Sequence, residues 1–438
     1  MRFSIREINL FERDVRLRMP FRFGVVTLTG APQAFARARI RLENGVEAQG
    51  AAAELLAPKW FDKNPALSNE DNFEQLRQSL RTARQAYLAA GTDTAHGHSR
   101  PTVGLVENFG PALLDRALLD ALCRGLGTSF YDAVRRNVIG LDLSPHFLES
   151  LRPGTQIAAR HTVGLVDPIT STEQRVNDGL PETLEEVVAR YGHRWFKLKV
   201  AGDAKVDVER LSAIAGVLDR MAEPYHSSLD GNEQYEDVDG VLDLWSRMKA
   251  EPRLRRLVAG IAFFEQPIKR QNALRQDVSA LSREKPVIID ESDDSLDAFP
   301  RARGLGYQGV SSKTCKGLYK SLTNAARCAE WGPGYFMTGE DLTLQAGLAL
   351  QQDLALVSLL GLGHVERNGH HYVNGMKDLP PHEQDAFLKA HPDLYERSHG
   401  AVRLRIRNGN LDMKSLACPG YASGAMPDWN QMREMKTQ

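Results

Sequence analysis

The chain has little cysteine: four residues in 438, at Cys123, Cys315, Cys328 and Cys418. None stands at a paired metal-ligand spacing, and nothing suggests a disulfide framework. It also lacks an excess of either charge. Against 56 Asp+Glu there are 55 Lys+Arg, a net charge of −1, which leaves no electrostatic footprint for nucleic acid or an anionic membrane. No run of about 18 apolar residues occurs, so no membrane span is expected. The opening Met1-Arg2-Phe3-Ser4-Ile5-Arg6 lacks the apolar core of a signal peptide, which makes a cytoplasmic location the expectation. What remains is an ordinary soluble composition, 42% hydrophobic and 25% charged. The length fits two or three domains, or one large barrel with an added lid.

Residues 3–55 alternate and carry turn signals. Strands are expected over 5–18, 34–42 and 47–53, with Asn44-Gly45 as a hairpin turn. Between the first two lies the aromatic stretch Pro20-Phe21-Arg22-Phe23-Gly24, a loop that is either a core plug or a lid. From about Asp71 to Arg136 the apolar period becomes helical. From Gln156 onward short strands and helices alternate, with strands expected at 157–163, 195–200, 226–229, 261–265, 287–290, 309–313, 335–338 and 361–365. Eight such units in about 210 residues are the pattern of an α/β protein of the (β/α)8, modified TIM barrel type. A doubly wound open sheet is the alternative, but no Gly-rich phosphate fingerprint follows the first strand. The tail resumes the turn-rich character, with a hairpin expected over 402–411. The expected domains are an α+β capping domain over 1–145, completed by 378–438, and a barrel over 146–377.

The strand Trp195-Phe196-Lys197-Leu198-Lys199-Val200 organises the barrel. Its alternation puts Trp195, Lys197 and Lys199 on one face and Phe196, Leu198 and Val200 on the other. Leu211, Ile214, Val217, Leu218 and Met221 then recur at helical spacing, a helix to cover the apolar face. Parallel strands are buried on both faces, so the two ammonium groups point into an interior that must supply anions. Charged residues close the following strands: Asp230 before Gly231-Asn232, Glu265 before Gln266-Pro267, Asp290 before Glu291-Ser292, then Lys313. Barrel sites lie at the C-terminal strand ends. Any one of these carboxylates alone would more often cap a helix. Three from adjacent strands cannot all be ionised side by side without a cation, and oxygen-only ligands favour Mg2+ before Mn2+ or Ca2+.

Lys197-x-Lys199, Asp230, Glu265-Gln-Pro, Asp290-Glu-Ser and Lys313 resemble the enolase superfamily, in particular its muconate lactonizing enzyme-like branch, over nearly the whole chain. The resemblance implies Asp230, Glu265 and Asp290 as Mg2+ ligands, with Mn2+ a possible substitute. It implies Lys199 and Lys313 as acid/base groups on opposite faces of a small carboxylate substrate. Lys197 would hold a carboxylate oxygen and lower the proton affinity of Lys199. Glu340 matches an acidic residue that ends the seventh strand. Residues 20–24 and 50–56 look like two lid loops. The implied reaction is removal of a proton alpha to a carboxylate through a metal-stabilised enolate, giving racemisation/epimerisation or cycloisomerisation. β-Elimination by the same site is an alternative, as is a non-catalytic barrel that retains it. A homo-oligomer is expected.

Lys313 stands where racemase and dehydratase branches of that superfamily carry a His–Asp base, and the span from Asp230 to Glu265 is longer than usual. Distal substrate contacts are sought in His364, Glu366 and Asn368 of the eighth strand, and in Arg22 of the lid. An internal His364–Glu366 pair is the competing reading. His161 is either a barrel-centre substrate contact or a hydrogen-bonded core histidine. Glu291 and Asn232 are expected to support the ligands from behind. Adjacent His370 and His371 cannot both face one ion from a strand, and Cys315 more often simply packs.

Overall fold

In the computed structural model, which describes residues 1–24, 26–172 and 175–436, two long strands form the frame of a capping sheet. Strand β1 (Arg2–Phe23) runs antiparallel to β2 (Val26–Leu42), which pairs with β3 (Glu47–Leu55). Alternate residues such as Phe3, Ile5, Ile8 and Leu10 are buried, as the period-two pattern requires. Helices α1 (Asn69–Leu88) and α2 (Leu105–Gly125) cover the sheet. Ser68 starts α1 by accepting from the Asp71 amide while the Asp71 carboxylate accepts from the Ser68 amide, a reciprocal cap worth about 1 kcal/mol. Gly50 lets α2 lie close, since a Cβ there would sit 2.1 Å from the Ala121 nitrogen.

The second body is a closed barrel of eight parallel strands: β4 (Gln156–Val163), β5 (Trp195–Lys199), β6 (His226–Asp230), β7 (Ile261–Glu265), β8 (Val287–Ile289), β9 (Gly309–Ser312), β10 (Phe336–Gly339) and β11 (His364–Glu366). Closure comes from β11 pairing with β4. Phe196 and Leu198 face outward onto Leu211, Ile214 and Leu218, so Lys197 and Lys199 do face the interior. The eight expected barrel strands are all present. No helix among the described residues is long and apolar enough to cross a membrane.

Three local expectations change. Residues 20–24 are not a loop: β1 continues to Phe23, with Phe21 opposite Leu28 and Phe23 opposite Val26. A register shift between Arg16 and Phe21 absorbs Pro20, which has no N–H to give a ladder. Residues 50–56 lie mostly within β3, and the segment after it, carrying Ala57, Trp60 and Lys63, reaches over the barrel instead. The expected 402–411 hairpin keeps its turn, where Arg407 and Asn410 exchange amide–carbonyl bonds at 3.0 and 2.9 Å around Asn408-Gly409, but its strands take other partners. Ala401–Leu404 pairs with Tyr395–Ser398, and β12 (Asn410–Asp412) adds to β4 in antiparallel sense. The left-handed Asn408-Gly409 turn redirects the chain, because the Gly409 amide donates to the Tyr191 carbonyl at 2.7 Å. Only β13 (Arg433–Glu434) of the tail joins the capping sheet, on β1.

Glu54, at the end of β3, ties cap to barrel by accepting from Arg116 at 2.9 Å and from the Thr314 hydroxyl at 3.2 Å. Burial pushes its carboxyl up to about 7, and burial likewise pushes Asp115 up to about 7. With folded values above the unfolded ones, their stabilising contribution is complete below the ordinary carboxyl pKa. It is lost as pH rises through about 7. Glu54→Gln is expected to remove on the order of 3 kcal/mol of that pH-dependent loss. Urea unfolding at a series of pH values checks this, and an unchanged slope contradicts it.

Candidate active site

Strand alternation and register build the site. Lys199, Asp230 and Glu265 are direct cross-strand neighbours on β5, β6 and β7, and Asp290 follows β8. Gln266 brackets the last of these: its side-chain carbonyl accepts from the amides of Asp290 at 2.8 Å and Ser292 at 3.0 Å. Lys313 follows β9. The second and sixth strands of an eight-stranded barrel lie across from one another. Lys199 and Lys313 therefore flank the site from opposite walls, with the three carboxylates on the strands between.

The Lys197 ammonium is the hub. It contacts Asp230 at 2.9 Å, Glu265 at 2.8 Å, Glu340 at 2.8 Å and Glu366 at 2.9 Å. Lys199 meets Asp230 at 2.5 Å and Lys313 meets Asp290 at 2.6 Å. All of these residues are buried. Burial alone would depress the Lys197 ammonium, but Asp230, Glu265, Glu340 and Glu366 hold it well above the usual lysine value. Burial also works against the Lys313 ammonium, and Asp290 overcomes it, so Lys313 too is raised. Burial opposes ionisation of Asp230 and Asp290, yet their lysine partners keep both below the ordinary carboxylate range. Glu265 differs: burial, then Asp230 and Glu340, push it well up. Burial and neighbouring carboxylates thus act on Glu265 in the same direction.

The donor set fits a hard divalent cation. Asp230, Glu265 and Asp290 offer oxygen only, and Glu265 Oε2 is buried without a hydrogen-bond partner. Among the described residues no three His, Cys, Asp or Glu groups already stand at metal-ligand spacing, because ammonium groups stand between the carboxylates. An ion would displace contacts made by flexible four-carbon stems, which can withdraw. Asn232 and Glu291 sit alongside. The Asn232 amide donates to Asp230 at 2.8 Å, and its side chain donates to Glu291 at 3.2 Å.

Glu340 and Glu366 enter the site through Lys197, whereas other expected substrate contacts do not. His364 begins β11 and lies at the far end of the barrel, its ring stacked on Trp195 at 3.9 Å and its Nδ1 on Arg160 at 2.6 Å. It pairs with neither Glu366 nor the cavity. Asn368 spends its amide on the backbone of Thr162, at 3.1 and 2.9 Å. Arg22 is exposed, because Phe21 and Phe23 take the inward face of the ribbon. His161 faces outward onto His193 and His371, since Arg160 and Thr162 hold the inward positions of β4. Sequence reasoning missed Arg160, which binds Glu340, and Lys316, which donates to the Asp290 carbonyl at 3.2 Å and to Ser311 at 2.7 Å. A buried arginine on a barrel strand, and a second lysine one turn beyond Lys313, were the available signals.

Two lid segments close the top. At the hairpin tip Gly24 abuts Gln234, and the Leu165 amide donates to the Arg22 carbonyl at 3.2 Å. The segment after β3 is fixed by Arg270, which donates to the Trp60 and Phe61 carbonyls at 2.8 and 3.0 Å. Lys63 donates to the Asn232 carbonyl at 2.8 Å. Beneath them, Lys199 Nζ lies 5.8 Å from the Phe21 ring centre and Lys313 Nζ 4.3 Å from that of Trp60.

Residues 179–413 match the family model described as enolase C-terminal domain-like. A search of curated proteins finds no match. Among solved structures the chain is similar to 2-chloromuconate cycloisomerase from Rhodococcus opacus 1CP, with 18% identity, 98% of each chain covered and a TM-score of 0.62. A muconate lactonizing enzyme from Pseudomonas fluorescens, complexed with muconolactone, gives 18%, 98% of each chain and 0.62. A mandelate racemase/muconate lactonizing protein from Herpetosiphon aurantiacus gives 18% identity and a TM-score of 0.61, over 95% of this chain and 98% of that one.

Proposed function

Because the chain belongs to the enolase C-terminal domain-like family, we propose that it abstracts a proton alpha to the carboxylate of a small acid in an Mg2+-dependent reaction. The product is a racemised or epimerised acid, or a cycloisomer. One observation carries this reading: Lys199 and Lys313 face each other across a set of three oxygen-only carboxylates. Asp230, Glu265 and Asp290 would hold Mg2+, or Mn2+ in its place. When bound, the ion supplies positive charge where negative charge develops on the substrate carboxylate. Lys197 adds a fixed ammonium at that position. Lys199 takes the proton from one face of the alpha carbon and Lys313 returns one from the other, or the reverse for the opposite enantiomer. The lid residues exclude water from this exchange. β-Elimination would share the first proton transfer but needs a leaving group on the next carbon. With acid/base groups on both faces, isomerisation is the better match.

The metal assignment has its own test. Asp230→Asn, Glu265→Gln and Asp290→Asn are each expected to weaken Mg2+ binding by at least about tenfold in calorimetry. Loss of one charged ligand from a three-carboxylate set is an effect of that order or larger. Three variants that bind as tightly as the parent would place the ion elsewhere.

A further inference from the structure

The cavity over the lysines has a one-sided lining. Its roof is Phe21, Phe23, Leu28, Ala57, Trp60 and Leu342, each no more than 7% exposed. The rings support one another: Phe21 lies 5.4 Å from Phe23 and 4.4 Å from Tyr372, while Trp60 lies 4.8 Å from Phe61. Among the described residues no arginine or histidine lines it. Its cations among the described residues are Lys197, Lys199 and Lys313, which serve the carboxylate cluster and the reacting end of a ligand and leave none for its distal end. Its acidic groups are Glu366, paired with Lys197, and Asp341, paired with Arg367. Arg367, in the adjoining cavity, is already matched by Asp341 and Asp353.

The same lining carries backbone strain. Thr343 has φ of +63°, a left-handed conformation that is a genuine outlier for a β-branched residue. Such strain costs about 1–3 kcal/mol and persists where the surroundings impose it. Leu342 and Thr343 both line the cavity, and the Leu344 amide donates to the Asp341 carboxylate at 3.1 Å.

We propose that the substrate carries, beyond its reacting carboxylate and alpha carbon, an uncharged apolar substituent, alkyl or aryl, and that a second carboxylate at the distal end is excluded. This rests on the proton-abstraction reading for the orientation of the ligand. An anionic distal group would lose hydration under Phe21, Phe23 and Leu342 without gaining a cation of its own. An apolar one is desolvated favourably there.

The probes are matched pairs: 2-methylpentanoate against 2-methylglutarate, which differ only in a distal methyl or carboxylate, together with 2-phenylpropanoate. Calorimetry on the Mg2+-loaded protein reads affinity, and NMR in D2O reads alpha-deuteration. The apolar acids are expected to bind at least about tenfold more tightly than the diacid, since burying an unpaired charge costs far more than one methylene gains. Leu342→Arg, or Leu28→Arg should the first not fold, supplies the missing cation and is expected to reverse the order. Tighter binding of 2-methylglutarate, equal binding, or binding of neither class by the parent overturns the proposal. Preferential exchange of the diacid overturns it while leaving proton abstraction intact. Tighter binding of the apolar acids with no exchange of any probe keeps the substrate class and removes proton abstraction.

Discussion

Lys199→Ala and Lys313→Ala are each expected to lower the rate of racemisation or cycloisomerisation by about 10³-fold or more. That is the range that a positioned acid or base contributes. The geometry makes the two losses similar in size, because each lysine is the acid/base group of one wall. Lys199 sits on β5 beneath Phe21 and Lys313 just beyond β9 beneath Trp60. The full reaction needs a proton removed on one side and delivered on the other. Neither change deletes a proposed metal ligand, so calorimetric Mg2+ affinity should change far less than turnover. Retained turnover in either variant contradicts the two-wall arrangement.

The second large effect falls on stability. Lys197→Met keeps the length of the side chain and removes the charge that four carboxylates share. Without it, Asp230, Glu265, Glu340 and Glu366 are left crowded in a dry interior. Breaking a buried pair by removing one partner costs about 3–5 kcal/mol. The pH dependence has a definite sign. In the parent, Lys197 holds Asp230 and Glu366 below the ordinary carboxylate range against the opposing effect of burial. In the variant the loss of that cation raises both folded values, with Lys199 still facing Asp230. Part of the stability that ionised Asp230 and Glu366 give the parent above the unfolded carboxyl pKa is therefore missing as pH rises. The deficit should therefore be larger at about pH 8 than at about pH 5, and Mg2+ should restore part of it. Denaturant unfolding at both pH values, with and without Mg2+, measures this. A variant as stable as the parent at the higher pH would mean that the cluster is not held by charge.

Much of this was legible in the sequence, and the reason is geometric. A charged residue closing successive strands is a pattern of period and position, which needs no knowledge of partners. Lys199, Asp230, Glu265, Asp290 and Lys313 form such a pattern, one charged residue at the end of each of five successive strands. What failed depended on quantities that a single strand does not carry. Of the two readings open for His161 the core one fits its packing against His193 and His371, and the choice turns on strand phase, since a shift of one exchanges the two faces of a strand. His364 lies on the expected strand but not at the expected depth, because its pairing with Ala158 puts it at the strand's start. The lid ribbon hid behind Pro20, whose missing N–H signalled a loop but was absorbed by a register shift. Lys316 and Arg160 acquire their meaning only from Asp290 and Glu340, which arrive from other strands.

The most direct test of the central claim is the stereochemistry of solvent exchange. A resolved carboxylate that the parent processes is incubated in D2O with Mg2+ and either Lys199→Ala or Lys313→Ala, and alpha-deuteration is followed by NMR for each enantiomer. Each variant is expected to deuterate one enantiomer only, and the two variants to choose opposite ones. Deuteration of both enantiomers at the parent's rate by either variant would contradict it.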